Sequence, residues 1–558
     1  MNQGVLQQAI AQLNSGHGRA AAELALDMLQ QQPGNLQAMA IAGAALGQSG
    51  DYNQARYWLQ QLLQRQPDNI HALINLAQVC GHLRQPDAAI GCLQRVLQLQ
   101  ANNHRARLQL ARALQQNGQP VQAQAQLQQL LQTNPDHLDA LAMQAELNQS
   151  RGHTGQARQG YLQVLQQQPG HVVASLGLAA LELNDGAAAD ALHRLEQLLQ
   201  HSQLSARNEA IARQRMGMAQ QSLGEYALAF AAFQHANSLL QNLPECSLPR
   251  DSESTVASSV YATGFIRRLL SDVQVLPNDQ TAARKTAART AASTPTTSAA
   301  ATRIPLFLMG FPRSGTTLLE QMLIAHPDID SVEENDNLAD LHDLLLQANK
   351  PLQTVMALPP EQLEEYRRSY WQRLDAVHAQ TGEAHAQAGV VIDKLPLNSV
   401  LLPVIAVLFP EAKILFAVRD PRAVVFSCWQ QLFDLNEAMV HFLSLQDSVA
   451  YYDLVMQLAS ASLARLPVDC LLLRHETLLQ QPEKTLREVL AFIDQPWNEQ
   501  VLDHRQRGGN RFIDTPSAQQ IRKPLNQAGT QRWRHYAELL PEEFKQLDDW
   551  ARHWGYAG

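Results

Sequence analysis

The sequence predicts a multidomain protein: an N-terminal all-α helical solenoid followed by a C-terminal α/β domain of phosphate-loop type with a central parallel sheet. Three observations carry this expectation. A 34-residue period runs through residues 1–241, residues 279–303 contain no aromatic and no large aliphatic side chain, and beyond residue 304 short apolar runs alternate with amphipathic stretches. A length of 558 residues also exceeds what one hydrophobic core ordinarily sustains, so at least two domains are expected.

Written in rows of 34, the first half places Ala21, Ala55, Ala89, Ala123, Ala157 and Ala191 in one column. A second column holds Gly16, Gly50, Gly118, Gly152 and Gly186, interrupted at Arg84, and a third holds Pro33, Pro67, Pro135 and Pro169, interrupted at Ala101. Together they describe a recurring helical hairpin. Glycine makes the turn, alanine lets the second helix approach its neighbour, and proline ends it. Leu recurs at three- and four-residue intervals in segments such as LQQLLQRQ, so one stripe is buried while Gln and Arg solvate the other face. The Gln richness is therefore the outer face of a packed helix and not an aggregating tract.

A 34-residue helix-turn-helix with this pattern resembles the tetratricopeptide repeat (TPR), over residues 2–241, without the usual Trp of the first helix. Six repeats fit, and a seventh follows around Gly217, Gly224 and Ala229 after an insertion at 205–209. The resemblance implies a concave surface that holds a peptide or partner protein, with a structural or dimerising role as the alternative. Residues 242–278 read as connecting helices. Residues 279–303 (DQTAARKTAARTAASTPTTSAAATR) read as a flexible linker, because such a composition buries no core.

The α/β domain is expected over residues 304–558. Residues 304–309 (IPLFLM) read as a buried strand, 310–317 (GFPRSGTT) as a loop, and the next residues as a helix. That order creates an anion site from inward-facing backbone amides and a helix N-terminus. Gly310 and Gly315 have the spacing of a nucleoside-triphosphate loop, yet Thr316 stands where that motif needs Lys, leaving Arg313 as the charge partner. A strand running into a helix follows at residues 413–429 (KILFAVRDPRAVVFSCW), with Arg419 at the strand end and Ser427 about two helical turns on, at a spacing that allows both to reach one phosphate. A third segment, residues 517–536, gathers Arg522, Lys523, Arg532 and Arg534 beside Pro524 and Trp533.

These three ordered segments resemble sulfotransferases that use 3′-phosphoadenosine 5′-phosphosulfate (PAPS), and residues 304–336 resemble the protein-tyrosine sulfotransferase branch. The resemblance implies a 5′-phosphosulfate loop formed by Arg313, Ser314, Gly315, Thr316 and Thr317, and a 3′-phosphate site at Arg419 and Ser427. It implies a covering segment containing Ser517, Arg522, Lys523 and Arg532. It also assigns the base to an acidic pair in residues 331–336 (SVEEND), where counting from Arg313 selects Glu334, with Glu333 as the fallback. Lys394, in VVIDKLPLNS, corresponds to the lysine that meets charge on the leaving oxygen, a role Arg313 would share. The chain departs from that branch in three places: His475 precedes Glu476 where a Tyr is usual, Gln431 replaces an Arg, and Asp336 stands in place of an Arg near the acceptor. His475 is expected either to stack on adenine or to serve the core.

A net charge of −9 disfavours a coat for nucleic-acid polymers. With neither a signal-peptide pattern at the N-terminus nor a long apolar run, a cytoplasmic protein without membrane partners is expected. The cysteines (Cys80, Cys92, Cys246, Cys428 and Cys470) show no metal spacing, so no metal is expected. The leading expectation is transfer of a sulfuryl group from PAPS to a peptide tyrosine presented by the repeats. The alternatives are a carbohydrate or small-molecule hydroxyl as acceptor, a lysine-free phosphate-loop kinase or NTPase, and an inactive repeat scaffold; a homodimer is compatible with each.

Overall fold

A computed structural model describes residues 2–83, 85–243, 246, 259–277, 303–380, 389–503 and 529–556. It divides into two compact units, residues 1–181 and 182–558.

In the first unit, paired helices such as Leu36–Ser49 and Tyr52–Arg65 form the repeating hairpins. The column glycines Gly16, Gly50, Gly118 and Gly152 close the turns at φ between 67° and 90°, a region closed to most side chains. The column alanines Ala21, Ala55, Ala89, Ala123 and Ala157 are at most 3% exposed, which allows the helices to pack closely. Leu59 and Leu62 are buried while Gln60 and Gln64 face solvent, as the periodicity requires. A further periodic feature caps the first helix of five successive hairpins. The Asn35, Asn69 and Asn103 side chains accept from the amides of Ala38, Ala72 and Ala106 at 2.9–3.1 Å, and His137 and His171 take the corresponding positions through Nδ1.

The second unit opens with the last helices of the periodic region, Ala188–His201, Ala206–Ser222 and Tyr226–Gln241. The 34-residue pattern continues to about residue 241, but these helices are compact with the sheet because Ala229 and Phe233 enter the same core as Trp429, Phe426 and Tyr536. The connecting stretch contributes the helix Thr263–Gln274, whose Phe265, Ile266 and Leu269 are fully buried there.

Five parallel strands, β1 (Leu306–Gly310), β2 (Ile329–Glu333), β3 (Val390–Lys394), β4 (Lys413–Val418) and β5 (Asp469–Arg474), lie in the order β2-β3-β1-β4-β5. Strands buried on both faces need apolar residues at every position, which explains runs such as LFLM and ILFAV. Alternate residues serve separate cores: Phe307, Met309 and Phe416 pack on one face, and Leu306, Leu308 and Leu415 on the other. The chain leaves β1 toward β2 and leaves β4 toward β5, so the connections run in opposite directions on either side of the β1–β4 boundary. The carboxyl ends at such a switch point form the usual ligand crevice.

The linker expected at 279–303 falls outside the described residues except for Arg303. That residue is anchored, with Nη1 2.6 Å from Asp375 Oδ1 and its guanidinium 4.4 Å over the Trp371 ring. None of the five cysteines is in a disulfide among the described residues, and no helix among those residues is long and apolar enough to cross a membrane.

Candidate active site

The loop after β1, residues 311–315, leads into the helix Thr316–Leu323. Gly315 takes φ 101°, and a Cβ there would lie 2.3 Å from His475 Nδ1, so only glycine lets the loop lie against that imidazole. Arg313 holds φ 68° despite its side chain. Such a backbone costs on the order of 1–3 kcal/mol and persists where the surroundings enforce it. Ser314, Thr316 and Thr317 are buried, and the Ser314 hydroxyl has no hydrogen-bond partner among the described residues.

Arg313 is the junction of the predicted phosphate site. Its Nε donates to Ser427 Oγ at 3.1 Å, while Arg419, at the end of β4, donates from Nη1 to the Arg313 carbonyl at 3.2 Å. Nη2 of Arg419 donates to Gly529 O at 2.7 Å, and its buried Nε has no partner among the described residues. Burial pulls the Arg313 guanidinium down to about 10; Arg419 and Arg532 add to this, and Glu334 opposes it. Burial also lowers Arg419, with Arg532 contributing. The three guanidinium charges thus act on one another, and a polyanion would offset their repulsion. His475 is held neutral beside them: burial, then Arg419 and Arg313, push its imidazole down to about 3. Its Nδ1 is buried without a partner among the described residues.

A second cluster gathers three carboxylates around Lys394. The β2–β3 register sets Glu333 against Lys394, and Glu334 donates its backbone N–H to Lys394 O at 2.7 Å while taking φ 47°. The fully buried ammonium lies 3.0 Å from Glu334, 3.1 Å from Glu333 and 3.4 Å from Glu320. Burial alone would discharge the lysine, but the three carboxylates outweigh it and hold its pKa above the usual value. Their exposures differ: the Glu320 side chain is 2% exposed, Glu333 17% and Glu334 40%. Glu334 therefore offers the most accessible carboxylate to an incoming group.

Two of the three non-glycine residues found at positive φ among the described residues are Arg313 and Glu334. Lys394 does not pair with Asp393, the simple alternative suggested by their adjacency, because neighbours on a strand face opposite sides of the sheet. Asp393 instead accepts from Asn337 Nδ2 at 3.1 Å. Arg532 joins the interacting cations, but Arg534 does not: it is exposed, with its guanidinium 5.6 Å from the centre of the buried Trp533 ring. Ser517, Arg522, Lys523 and Pro524 lie outside the described residues. Gln431 turns its amide to Leu432 O, and Asp336 faces His342 at 3.4 Å.

Two contributors are given no role in the sequence reading. Glu320 is a lone charge in the apolar helix TTLLEQML, which was the available signal. Glu476 accepts the Asp420 amide at 3.3 Å and the Tyr556 hydroxyl at 2.5 Å, so it braces the turn that aims Arg419. The unpartnered Ser314 hydroxyl and Arg419 Nε, beside the N-terminus of a helix, fit a ligand with anionic groups at both ends.

Comparison with known proteins follows this geometry. Residues 305–499 match the Sulfotransferase family, and residues 58–171 match the Cytochrome c-type biogenesis protein H TPR domain. A Drosophila melanogaster protein-tyrosine sulfotransferase is 28% identical over 249 residues, covering 41% of this chain and 46% of the relative. Protein-tyrosine sulfotransferase 1 of Danio rerio is 27% identical over 243 residues, covering 41% of this chain and 65% of the relative. An uncharacterized protein of Aquifex aeolicus is 28% identical over 268 residues, covering 44% and 33% of the two chains. The chain thus spans less than two thirds of the length of each of these relatives. A tetratricopeptide repeat protein from Parabacteroides merdae superposes with a TM-score of 0.39 at 18% identity, over 43% of this chain and 94% of that one.

Proposed function

From its architecture, TPR-like repeats joined to a sulfotransferase-family domain, we propose that this chain transfers a sulfuryl group from PAPS to an acceptor hydroxyl, foremost a tyrosyl side chain of a peptide or protein. One observation carries the reading: Arg313 is hydrogen-bonded to both Ser427 and Arg419, and the Glu334 charge acts on its guanidinium. The residues that would bind the donor therefore adjoin those that would activate the acceptor.

In the proposed step, the acceptor oxygen forms a bond to sulfur as the bridging oxygen bond to the nucleotide breaks. Glu334 takes the acceptor proton through its accessible carboxylate. Lys394 and Arg313 meet the negative charge that the departing 5′-phosphate retains. Fixed charges in a site shielded from water act strongly on a transition state whose charge is spread in this way. The strained backbones at Arg313 and Glu334 hold these two groups beyond the carboxyl ends of β1 and β2. His475, neutral and lying on Gly315, offers an uncharged surface for a nucleotide base. The tyrosyl acceptor is supported by the names of the animal relatives, and presentation of a protein substrate by the TPR-like repeats.

Calorimetric titration in EDTA tests the donor. Adenosine 3′,5′-bisphosphate should bind without metal, whereas binding only of ATP with Mg²⁺ would overturn the reading in favour of a nucleoside-triphosphate enzyme. Radiolabelled PAPS should then label a tyrosyl peptide and not its Phe counterpart; equal labelling of a sugar hydroxyl would move the acceptor class.

A further inference from the structure

The last repeat hairpin, Ala206–Ser222 with Tyr226–Gln241, belongs to the compact unit that contains the sheet. Its polar side chains terminate the helix Pro421–Gln430, which carries Ser427. The last carbonyls of a helix have no partner within it. Here Asn237 Nδ2 donates to Trp429 O at 2.9 Å, and Gln214 Nε2 donates to Gln430 O at 3.2 Å. A repeat hairpin thus supplies the cap that the local sequence lacks.

Gln221 does more than cap. Its Oε1 accepts from Gln430 Nε2 at 2.8 Å and from the hydroxyl of Tyr536 at 2.9 Å. Gln430 lies one turn beyond Ser427, and Tyr536 ends the 3₁₀ turn Arg532–Tyr536. One amide oxygen therefore ties the helix of Ser427 to the segment of Arg532, two elements separated by about a hundred residues of chain. Tyr226 reinforces the link by stacking on His535 with ring centroids 4.3 Å apart.

We propose that Gln221, a residue of the repeat region, is a positioning residue for nucleotide recognition, holding Ser427 and Arg532 in the register that grips the 3′-phosphate. This rests on the donor reading given above. The helical repeats are then part of the donor site's scaffold as well as a surface for partners.

The test uses the full chain and measures affinities for adenosine 3′,5′-bisphosphate and adenosine 5′-phosphate, together with melting temperature. Gln221→Ala should lower the ratio of the two affinities by about 5-fold, the scale of one hydrogen bond. Gln221→Glu, which keeps the accepting oxygen, should restore the ratio, and Gln234→Ala, at an exposed position on the same hairpin, should leave it unchanged. An unchanged ratio in Gln221→Ala, or parallel loss of both ligands with a lowered melting temperature, overturns the proposal. Should Gln221→Ala not fold, Tyr536→Phe decides: it should lower the ratio alone, and an unaltered ratio refutes the positioning role. A wild-type chain that does not bind the bisphosphate removes the donor reading itself, which is a separate result.

Discussion

Lys394 and Asp393 are neighbours in sequence with opposite electrostatic fates. The lysine is charged because three carboxylates surround it on one face of the sheet; the aspartate, on the other face, is pushed up to about 7 by burial, despite opposing hydrogen bonds from Asn337 and Tyr370. Its ordinary value is 3.8, so between these values the folded chain holds a proton that the unfolded chain releases. This group's contribution to stability is therefore fullest below about pH 3.8 and declines as pH rises to about 7. Asp393→Asn should raise the melting temperature relative to wild type more at pH 8 than at pH 5, and a pH-independent difference would contradict the assignment. On the opposite face, Glu334→Gln should lower turnover by about 10²- to 10⁴-fold, as loss of a general base does, with affinity for adenosine 3′,5′-bisphosphate retained. Unchanged turnover would move the base to Glu333. The acidic pair was visible as sequence, but the preference for Glu334 depends on exposure, and the third carboxylate, Glu320, arrives from a helix whose orientation no local pattern specifies.

Among the elements, the repeat helices were the most legible. Glycine at each turn, alanine at each close approach and leucine on each buried stripe are requirements of local geometry and nearest-neighbour packing, so they recur with the period. The cap column at Asn35, Asn69 and Asn103 is as periodic and follows the same rule, since each first helix begins with unsatisfied amides. Asn69→Ala should cost about 1 kcal/mol, read as a lower urea midpoint at constant slope; no shift would show that solvent satisfies those amides equally well. The strands were legible as apolar runs because a sheet covered on both faces demands them. Their order was not, because a parallel pairing is made through crossovers and leaves no mark on either strand. Arg419 and Ser427 were legible as a spaced pair on a strand and helix, yet their shared contact with Arg313 comes from the pairing of β1 with β4.

At the scale of the molecule, the periodic pattern and the compact units divide the chain at different places. Repeat periodicity extends to about residue 241, whereas the unit that holds the sheet begins at Glu182. A fragment starting at residue 242 would uncover Trp429, which packs against Phe230 and Phe233. It should bind a hydrophobic dye and melt without cooperativity, while a fragment starting at residue 182 should melt in one sharp transition. Equal cooperativity in the two fragments would show that the last helices are dispensable to the fold.

The sequence by itself determined the two architectures, the repeat length, the glycine-bearing loop after the first strand and which charged residues are candidates, because each reflects constraints acting over a turn, a strand or one repeat. Only the tertiary structure decided which carboxylates share Lys394, which cations act on one another, and that the final hairpin caps the helix of Ser427. Those contacts join residues dozens to hundreds of positions apart, where burial and charge compensation are settled by the packing of whole elements and not by any local preference.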